Sequence, residues 1–246
     1  MEKSTFHSGR ADSNDPAIFE KVVKNEWYSD CFVIYLDKMG TSDQIRERDD
    51  VYDNRKGLYQ LGIVYKKSLE IFHDLFSDSF RFFGFSDTVM AVIPYDENNP
   101  VSTDLIAKTA ISLFIELTKM NFPVQIFISR GDFGFNTFEG IIDKSIGAVC
   151  PVYGSSLLYA TEFDKHWKMV DSNCVGVFID NSAITDFKII YRIKVDDGKK
   201  EIGIIDFEHY LMPEEFVWFK EVIGNHPEVK TLDVLQKKMF DKKYGC

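Results

Sequence analysis

The chain has 246 residues, of which 45% are hydrophobic and 15% aromatic, which is enough apolar material for a substantial core and argues against a disordered protein. Its formal net charge of −10 argues against a broad nucleic-acid-binding surface, because such surfaces are basic. No apolar run reaches the roughly 18 to 20 residues of a membrane span, and the first residues lack a signal core, so we expect a cytoplasmic protein with no membrane segment.

The first part of the chain is polar and then becomes strongly apolar. Residues 1–28 are predicted to be an N-terminal arm, and residues 17–27 within it have the composition of a short helix. The run from Cys31 to Leu36 is continuously apolar, which is typical of a strand buried on both faces. Residues 57–77 are predicted to form a helix, because their apolar side chains recur at helical spacing. The positions of that stripe are Leu58, Leu61, Val64, Leu69, Phe72 and Phe76.

The middle and end of the chain alternate strand and helix patterns. Residues 80–85 and 88–93 read as two strands joined by a tight turn that contains Ser86 and Asp87. The other predicted strands are 124–135, a short strand containing Gly147, 175–179, 188–195 and 202–207, and the other predicted helices are 104–120, 151–163, 213–222 and 231–240. We therefore expect an α+β fold with a largely antiparallel central sheet flanked by helices. Residues 29–246 are predicted to be a single domain with a C-terminal helical extension.

Two acidic residues, Asp37 and Asp87, each adjoin an apolar strand-like run. Either residue alone is most often a turn former or a helix cap, and an interaction protein with both acids in turns is the plain alternative. Together on neighbouring strands, two buried carboxylates would repel each other unless they were protonated or bound to metal. Oxygen ligands favour Mg²⁺ or Mn²⁺ over zinc, and such a pair could hold two divalent ions over a nucleoside triphosphate.

Several neighbouring residues are candidates for contacts to a phosphate. Gly40 permits close approach to the backbone, and a helix predicted after it would aim N–H groups from Met39, Gly40, Thr41 and Ser42 at an anion, although an ordinary strand-to-helix turn fits the same residues. Arg130 at a strand end could contact phosphate, but pairing with an acid such as Asp132 or Glu139 is the favoured interpretation.

Arg81 and Phe83 lie two positions apart, so on a regular strand their side chains point the same way. Arg81 could therefore reach a base or an α-phosphate, and a surface salt bridge is the alternative.

Taken in order, these segments resemble the class III nucleotidyl cyclases. Asp37 and Gly40 match the family's first aspartate with a glycine three residues later, and Asp87 matches its second aspartate, which lies in a β-hairpin. The pairs Arg130–Gly131 and Tyr153–Gly154 match its arginine-glycine and aromatic-glycine elements. The resemblance implies a cyclase-like catalytic domain, with Lys38 supplying a carbonyl ligand beside the two aspartates.

The departures from the family pattern concern the base and the transition state. Phe83 stands where the family has a purine-reading lysine, and Pro151 stands where it has the aspartate that partners this lysine. Leu158 and Glu162 replace the asparagine and arginine that assist the transition state. The chain is most similar to the small pyrimidine cyclases of the Pycsar anti-phage system, which implies UTP or CTP as substrate, with UTP preferred.

The resemblance further implies two Mn²⁺ or Mg²⁺ ions per site, a homodimer with active sites at the subunit interface, and a separate effector protein that senses the cyclic nucleotide. Two alternatives stay open. One is a purine cyclase that makes cyclic AMP or cyclic GMP. The other is a catalytically silent cyclase-like domain that binds a nucleotide.

Overall fold

The computed structural model describes residues 21–38, 51–77, 79–98, 100–122, 124–142, 145–170, 176–195 and 200–225. Within these ranges the strands are β1 (Lys21–Lys38), β2 (Arg81–Phe85), β3 (Thr88–Pro94), β4 (Val124–Ile142), β5 (Ser145–Val149), β6 (Val152–Tyr153), β7 (Gly176–Asp180), β8 (Ile189–Val195) and β9 (Lys200–Ile205). The helices there are α1 (Val51–Phe76), α2 (Thr103–Lys119), α3 (Ser155–Val170), α4 (Phe207–Tyr210) and α5 (Pro213–Asn225). Over the part of the chain described, no helix has both the length and the apolar character that a bilayer span needs.

One sheet organises the molecule. Its strands lie in the order β2-β3-β1-β4-β7-β9-β8, and β5 and β6 pair with β4 off this path. All pairings are antiparallel except that between β4 and β7, so the expectation of an α+β fold with a largely antiparallel central sheet is confirmed. Strand β1 is therefore an interior strand, with β3 on one side and β4 on the other.

The N-terminal half of β1 corrects one prediction. The sequence predicts a helix over residues 17–27, but residues 21–27 are strand, with Lys21 opposite Glu139 and Trp27 opposite Gly134 of β4. Pairing with a distant strand overrides the weak local preference for helix. Strand β1 runs without a break past residue 28, where the arm was predicted to meet the domain.

The side chains of β1 alternate between two apolar layers. Phe32, Ile34 and Leu36 pack into the main core, which also contains buried residues of α1, α2, α4 and α5. Val33 and Tyr35 face the other side of the sheet, where a second cluster holds Met90, Val92, Phe133 and Phe135. The second face is the one on which the candidate site residues Asp37 and Phe83 lie, because they share the alternation of Tyr35 and of the cluster around it.

Helix α1 confirms the helix predicted here, but fewer of its apolar stripe residues are buried than the spacing predicts. Val64, Phe72 and Phe76 are buried, whereas Leu58 and Leu69 are 72% and 45% exposed. The helix predicted from residue 151 begins at Ser155, and the helix predicted over 231–240 lies outside the described residues.

Candidate active site

The two candidate metal ligands lie at the same end of adjacent strands. Asp37 is the next-to-last residue of β1 and pairs with Thr88, the first residue of β3. Asp87 directly precedes Thr88 in the turn between β2 and β3, and its carbonyl oxygen accepts a hydrogen bond of 3.1 Å from the Lys38 N–H. The structure therefore places two acids that are 50 positions apart in the sequence at the same end of the β1–β3 pair.

Asp37 lies in a largely buried position. Its side chain is on the sheet face of Tyr35, and its residue is only 7% exposed. On the β4 side its register partner is Gln125, which is fully buried. Tyr35 and Thr88 place their hydroxyl oxygens 3.5 Å apart on the same face. Burial makes it costly to remove a carboxylate from water, and a bound divalent cation would offset that cost.

The chemistry of the donor set fits a hard divalent cation. Carboxylate oxygens and the Lys38 carbonyl are the ligand types that Mg²⁺ and Mn²⁺ prefer. Among the described residues there is no group of three or more His, Cys, Asp and Glu side chains arranged to hold a metal. Two carboxylates nevertheless suffice for Mg²⁺, which is usually held by one or two of them together with substrate phosphates. The roles of Asp37, Lys38 and Asp87 as ligands stay a prediction.

The candidate phosphate-binding backbone cannot be placed. Met39, Gly40, Thr41 and Ser42 all lie outside the described residues. Their contacts to a phosphate therefore stay a prediction.

An aromatic groove lies along β2, and one of its lining residues, Phe85, pairs with Thr88, which in turn pairs with Asp37. It has a volume of about 400 Å³ and is lined by Arg81, Phe82, Phe83, Gly84, Phe85, Phe135, Thr137 and Cys150. The Phe83 ring packs against Phe133 and Phe135, with ring centroids 5.6 and 5.2 Å apart, and stacks parallel to Phe85. Arg81 and Phe83 face the same groove, as the alternation along a strand predicts. A planar, uncharged group fits such a surface.

Arg81 is held in an ion pair beside this groove. Its Nε and Nη2 donate to the two carboxylate oxygens of Glu26 at 2.7 and 3.2 Å, and its Nη1 donates to the Phe80 carbonyl. The Tyr28 hydroxyl also donates to Glu26, and burial together with that carboxylate raises the pKa of Tyr28. The salt bridge that the sequence leaves as an alternative is thus present, and its partner could not be read from the sequence because Glu26 falls in the segment predicted to be helical.

Arg130 lies away from the two acids. Its register partner on β1 is Phe32, five positions before Asp37, and its guanidinium packs over the Tyr95 ring at 4.4 Å from the centroid. It donates to both oxygens of Asp30, at 3.0 and 2.7 Å, and to Asp186 at 3.1 Å. Pairing with acids is the interpretation that the sequence favours, and the acids in the structure are Asp30 and Asp186. A phosphate contact through Arg130 stays a prediction that would require it to leave these partners.

Replacing Arg130 tests the structural role of this network. Arg130→Ala is expected to lower the free energy of unfolding by about 2 kcal/mol, because it removes charge-assisted hydrogen bonds to two half-buried carboxylates and the contact with Tyr95. The measurement is urea unfolding. Arg192→Ala is the control, because the Arg192–Glu201 pair is more exposed and is expected to contribute less than about 0.5 kcal/mol. Equal stability of Arg130→Ala and wild type would contradict the structural role.

The arginine-glycine and aromatic-glycine elements dock helix α3 onto the sheet. Asp132 accepts hydrogen bonds from the backbone N–H and the hydroxyl of Ser155, and these bonds lower the pKa of Asp132. A Cβ atom on Gly131 would lie 2.5 Å from the Ser155 hydroxyl oxygen, and one on Gly154 would lie 2.3 Å from the Asp132 carbonyl oxygen. Gly154 also has φ of 151°, which disfavours residues with a side chain. Both glycines are therefore needed for the close approach of α3.

The exposed side of α3 carries the two residues that depart from the family pattern. Leu158 is 52% exposed. Glu162 forms an ion pair with Lys200 of β9. At position 162 the chain therefore has a paired acidic side chain where the family resemblance implies an arginine.

Comparisons with known proteins bear on the fold. No protein-family model and no curated protein matches the chain. A bacterial light-regulated adenylyl cyclase is similar, with a TM-score of 0.52 and 10% identity over 84% of this chain and 58% of that chain. A second structure of a bacterial light-regulated adenylyl cyclase has a TM-score of 0.50 and 12% identity over 82% of this chain and 99% of the other.

A dimeric guanylyl cyclase domain of the RhoGC fusion protein from the aquatic fungus Blastocladiella emersonii has a TM-score of 0.48 and 13% identity over 73% of this chain and 95% of that chain. The fold assignment rests on the two bacterial structures. The chain has the α+β fold of a nucleotidyl cyclase catalytic domain. Identities this low carry the fold and leave substrate and activity to be argued from the site.

Proposed function

We propose that this chain is a nucleotidyl cyclase that converts a pyrimidine nucleoside triphosphate, UTP in preference to CTP, into its 3′,5′-cyclic monophosphate and pyrophosphate. The observation that carries the proposal is the convergence of Asp37 and Asp87 at one end of two adjacent strands, within a fold shared with adenylyl cyclases.

The reaction needs two acids placed in this way. The ribose 3′-oxygen attacks the α-phosphorus, the new P–O bond closes the ring, the bond to the pyrophosphate oxygen breaks, and the hydroxyl proton is released. Asp37, Asp87 and the Lys38 carbonyl would hold two Mn²⁺ or Mg²⁺ ions. When bound, these ions lower the pKa of the hydroxyl and offset charge on the leaving phosphates. Backbone N–H groups of residues 39–42 would bind the β- and γ-phosphates.

The residues of the aromatic groove favour a pyrimidine as the base of the substrate. Phe83 takes the place of the lysine that reads a purine in the family, and Pro151 takes the place of its acidic partner. A base would therefore stack on Phe83 and Phe85 instead of meeting a charged pair. Thr137 and Arg81 line the same groove and supply polar groups for the edge of the base. UTP and CTP differ at N3 and position 4, where one side chain can discriminate between them.

The active form is proposed to be a homodimer with active sites at the subunit interface. Tyr153 at the end of β6 and Leu158 in α3 expose apolar side chains, and a second copy would cover them. The cyclic nucleotide is proposed to act as a messenger in anti-phage defence, through a separate effector protein that binds it.

The proposal is tested by product analysis. Purified protein is incubated with equal concentrations of ATP, GTP, CTP and UTP and with Mn²⁺, and the products are separated by chromatography. Cyclic UMP is expected as the main product, with cyclic CMP second, and sedimentation velocity of the same sample is expected to show a species of two chains. Cyclic AMP or cyclic GMP as the main product would contradict the pyrimidine assignment and favour a purine cyclase.

A catalytically silent domain is the second candidate function. The pairing of Glu162 with Lys200, at the place where the family carries a catalytic arginine, favours it. Such a domain would bind UTP in a Mn²⁺-dependent manner without releasing pyrophosphate. Both functions use the two acids, because Mn²⁺-dependent binding of a triphosphate also needs carboxylate ligands. A pyrophosphate-release assay on the sample used for product analysis separates the two functions.

A further inference from the structure

The turn that carries Asp87 is fixed by hydrogen bonds to two consecutive carbonyl groups. From β1, the Lys38 N–H donates to the carbonyl oxygen of Asp87 at 3.1 Å. From α1, the Tyr65 hydroxyl donates to the carbonyl oxygen of Ser86. The peptide units on both sides of the Asp87 α-carbon are therefore each held by a hydrogen bond, one from strand β1 and one from helix α1.

The backbone of this turn is strained, and the hydrogen bond from Tyr65 helps to stabilise it in this conformation. Ser86 has φ of 51°, a left-handed conformation that is uncommon for residues with a Cβ atom. Short hairpin turns require such a conformation and usually place Gly, Asn or Asp there. A serine in this place persists when surrounding contacts stabilise it. The contact visible on its carbonyl is that of Tyr65.

The Tyr65 ring also packs closely against the strand that leads into the turn. A Cβ atom on Gly84 would lie 3.0 and 3.1 Å from two carbon atoms of this ring, so the ring is in close contact with the glycine backbone. Tyr65 follows Val64, which is fully buried in the core. Because the Tyr65 side chain has few rotatable bonds, the packing of α1 in the core also restricts the position of the turn.

The hydroxyl of Tyr65 is close enough to Asp87 for the negative charge of Asp87 to affect its pKa. Burial and, second, the negative charge of Asp87 raise the pKa of Tyr65 above its ordinary value. The hydroxyl therefore keeps its proton and remains a donor at neutral pH.

We propose that Tyr65 is a positioning residue, which fixes the backbone of Ser86 and Asp87 so that the Asp87 carboxylate is aimed at a divalent cation shared with Asp37. The proposal rests on the proposed function, in which Asp87 is a metal ligand. Tyr65 itself contacts the turn and does not touch the cation or the substrate.

The test is Tyr65→Phe, which removes the hydroxyl and keeps the ring against Gly84. Isothermal titration calorimetry of Mn²⁺ into protein that holds a non-cyclisable UTP analogue is expected to show an affinity about fivefold weaker than wild type, the effect of one lost hydrogen bond. The thermal midpoint is expected to stay within about 2 °C of wild type, because one part-exposed hydrogen bond contributes little to global stability. Tyr59→Phe is the matched control, because Tyr59 lies on the same helix with 71% of its surface exposed, and wild-type Mn²⁺ affinity is expected for it.

Asp87→Asn is titrated in parallel so that the two proposals can fail separately. If Asp87→Asn binds Mn²⁺ as wild type does, the proposed function is overturned. If Asp87→Asn loses Mn²⁺ affinity but Tyr65→Phe keeps it, the positioning role of Tyr65 is overturned while the proposed function stands. A fall of the Tyr65→Phe thermal midpoint with unchanged Mn²⁺ affinity also overturns the positioning role, because it shows a purely structural contact.

Discussion

Asp37→Asn and Asp87→Asn are each expected to lower the rate of cyclic nucleotide formation by about 100-fold or more. Each change keeps the size of the side chain and removes one negative charge from a site where two carboxylates adjoin at the end of β1 and β3. One remaining carboxylate cannot hold two divalent ions in register. The measurement is the initial rate of pyrophosphate release at saturating UTP and Mn²⁺.

The matched control for these variants is Asp74→Asn, the same chemical change at an exposed position of α1. Its rate is expected to equal that of wild type. Wild-type rates in both Asp37→Asn and Asp87→Asn would remove the two-metal mechanism. Unfolding curves of all variants show whether a loss of rate is a loss of folded protein.

Gly154→Ala is expected to destabilise the protein by about 3 kcal/mol or more. The new Cβ atom would lie 2.3 Å from the Asp132 carbonyl oxygen and 2.7 Å from the Phe133 α-carbon, and both are backbone atoms that cannot rotate away. Relief requires α3 to move off β4, which breaks the bonds between Asp132 and Ser155. The thermal midpoint is expected to fall by about 10 °C, as measured by circular dichroism.

Gly62→Ala is the control, and its expected effect on stability has the opposite sign. Gly62 lies inside α1, and a Cβ atom there would meet no atom within 4 Å. Alanine is favoured over glycine in a helix interior, so this variant is expected to be more stable than wild type by about 0.5–1 kcal/mol. Equal midpoints for Gly154→Ala and wild type would contradict the account of α3 docking.

The sequence predicts the parts of the fold that depend on local pattern. The hairpin of β2 and β3 follows from two apolar runs around Ser86 and Asp87, and it is this hairpin that sets Asp87 next to Asp37. The start of β1 could not be predicted in this way, because residues 21–27 become strand through pairing with β4, more than 100 positions later.

Contacts between distant residues account for the rest of what the sequence leaves open. Arg130 meets Asp30 and Asp186, which lie 100 and 56 positions away, so no spacing rule identifies them. Tyr65 lies within the predicted α1 helix beside the stripe residue Val64, but helical periodicity indicates a buried face and not the carbonyl that a hydroxyl reaches. Gln125 is opposite Asp37 on β4, and no local pattern in the sequence identifies that pairing.

The most direct test of the central claim is a crystal structure of the wild-type protein with Mn²⁺ and a non-cyclisable UTP analogue, with anomalous scattering recorded at the manganese edge. Anomalous peaks are expected between the carboxylates of Asp37 and Asp87 and beside the phosphates of the analogue. A bound analogue with no manganese at either carboxylate would contradict the claim that these two acids hold the ions on which catalysis depends.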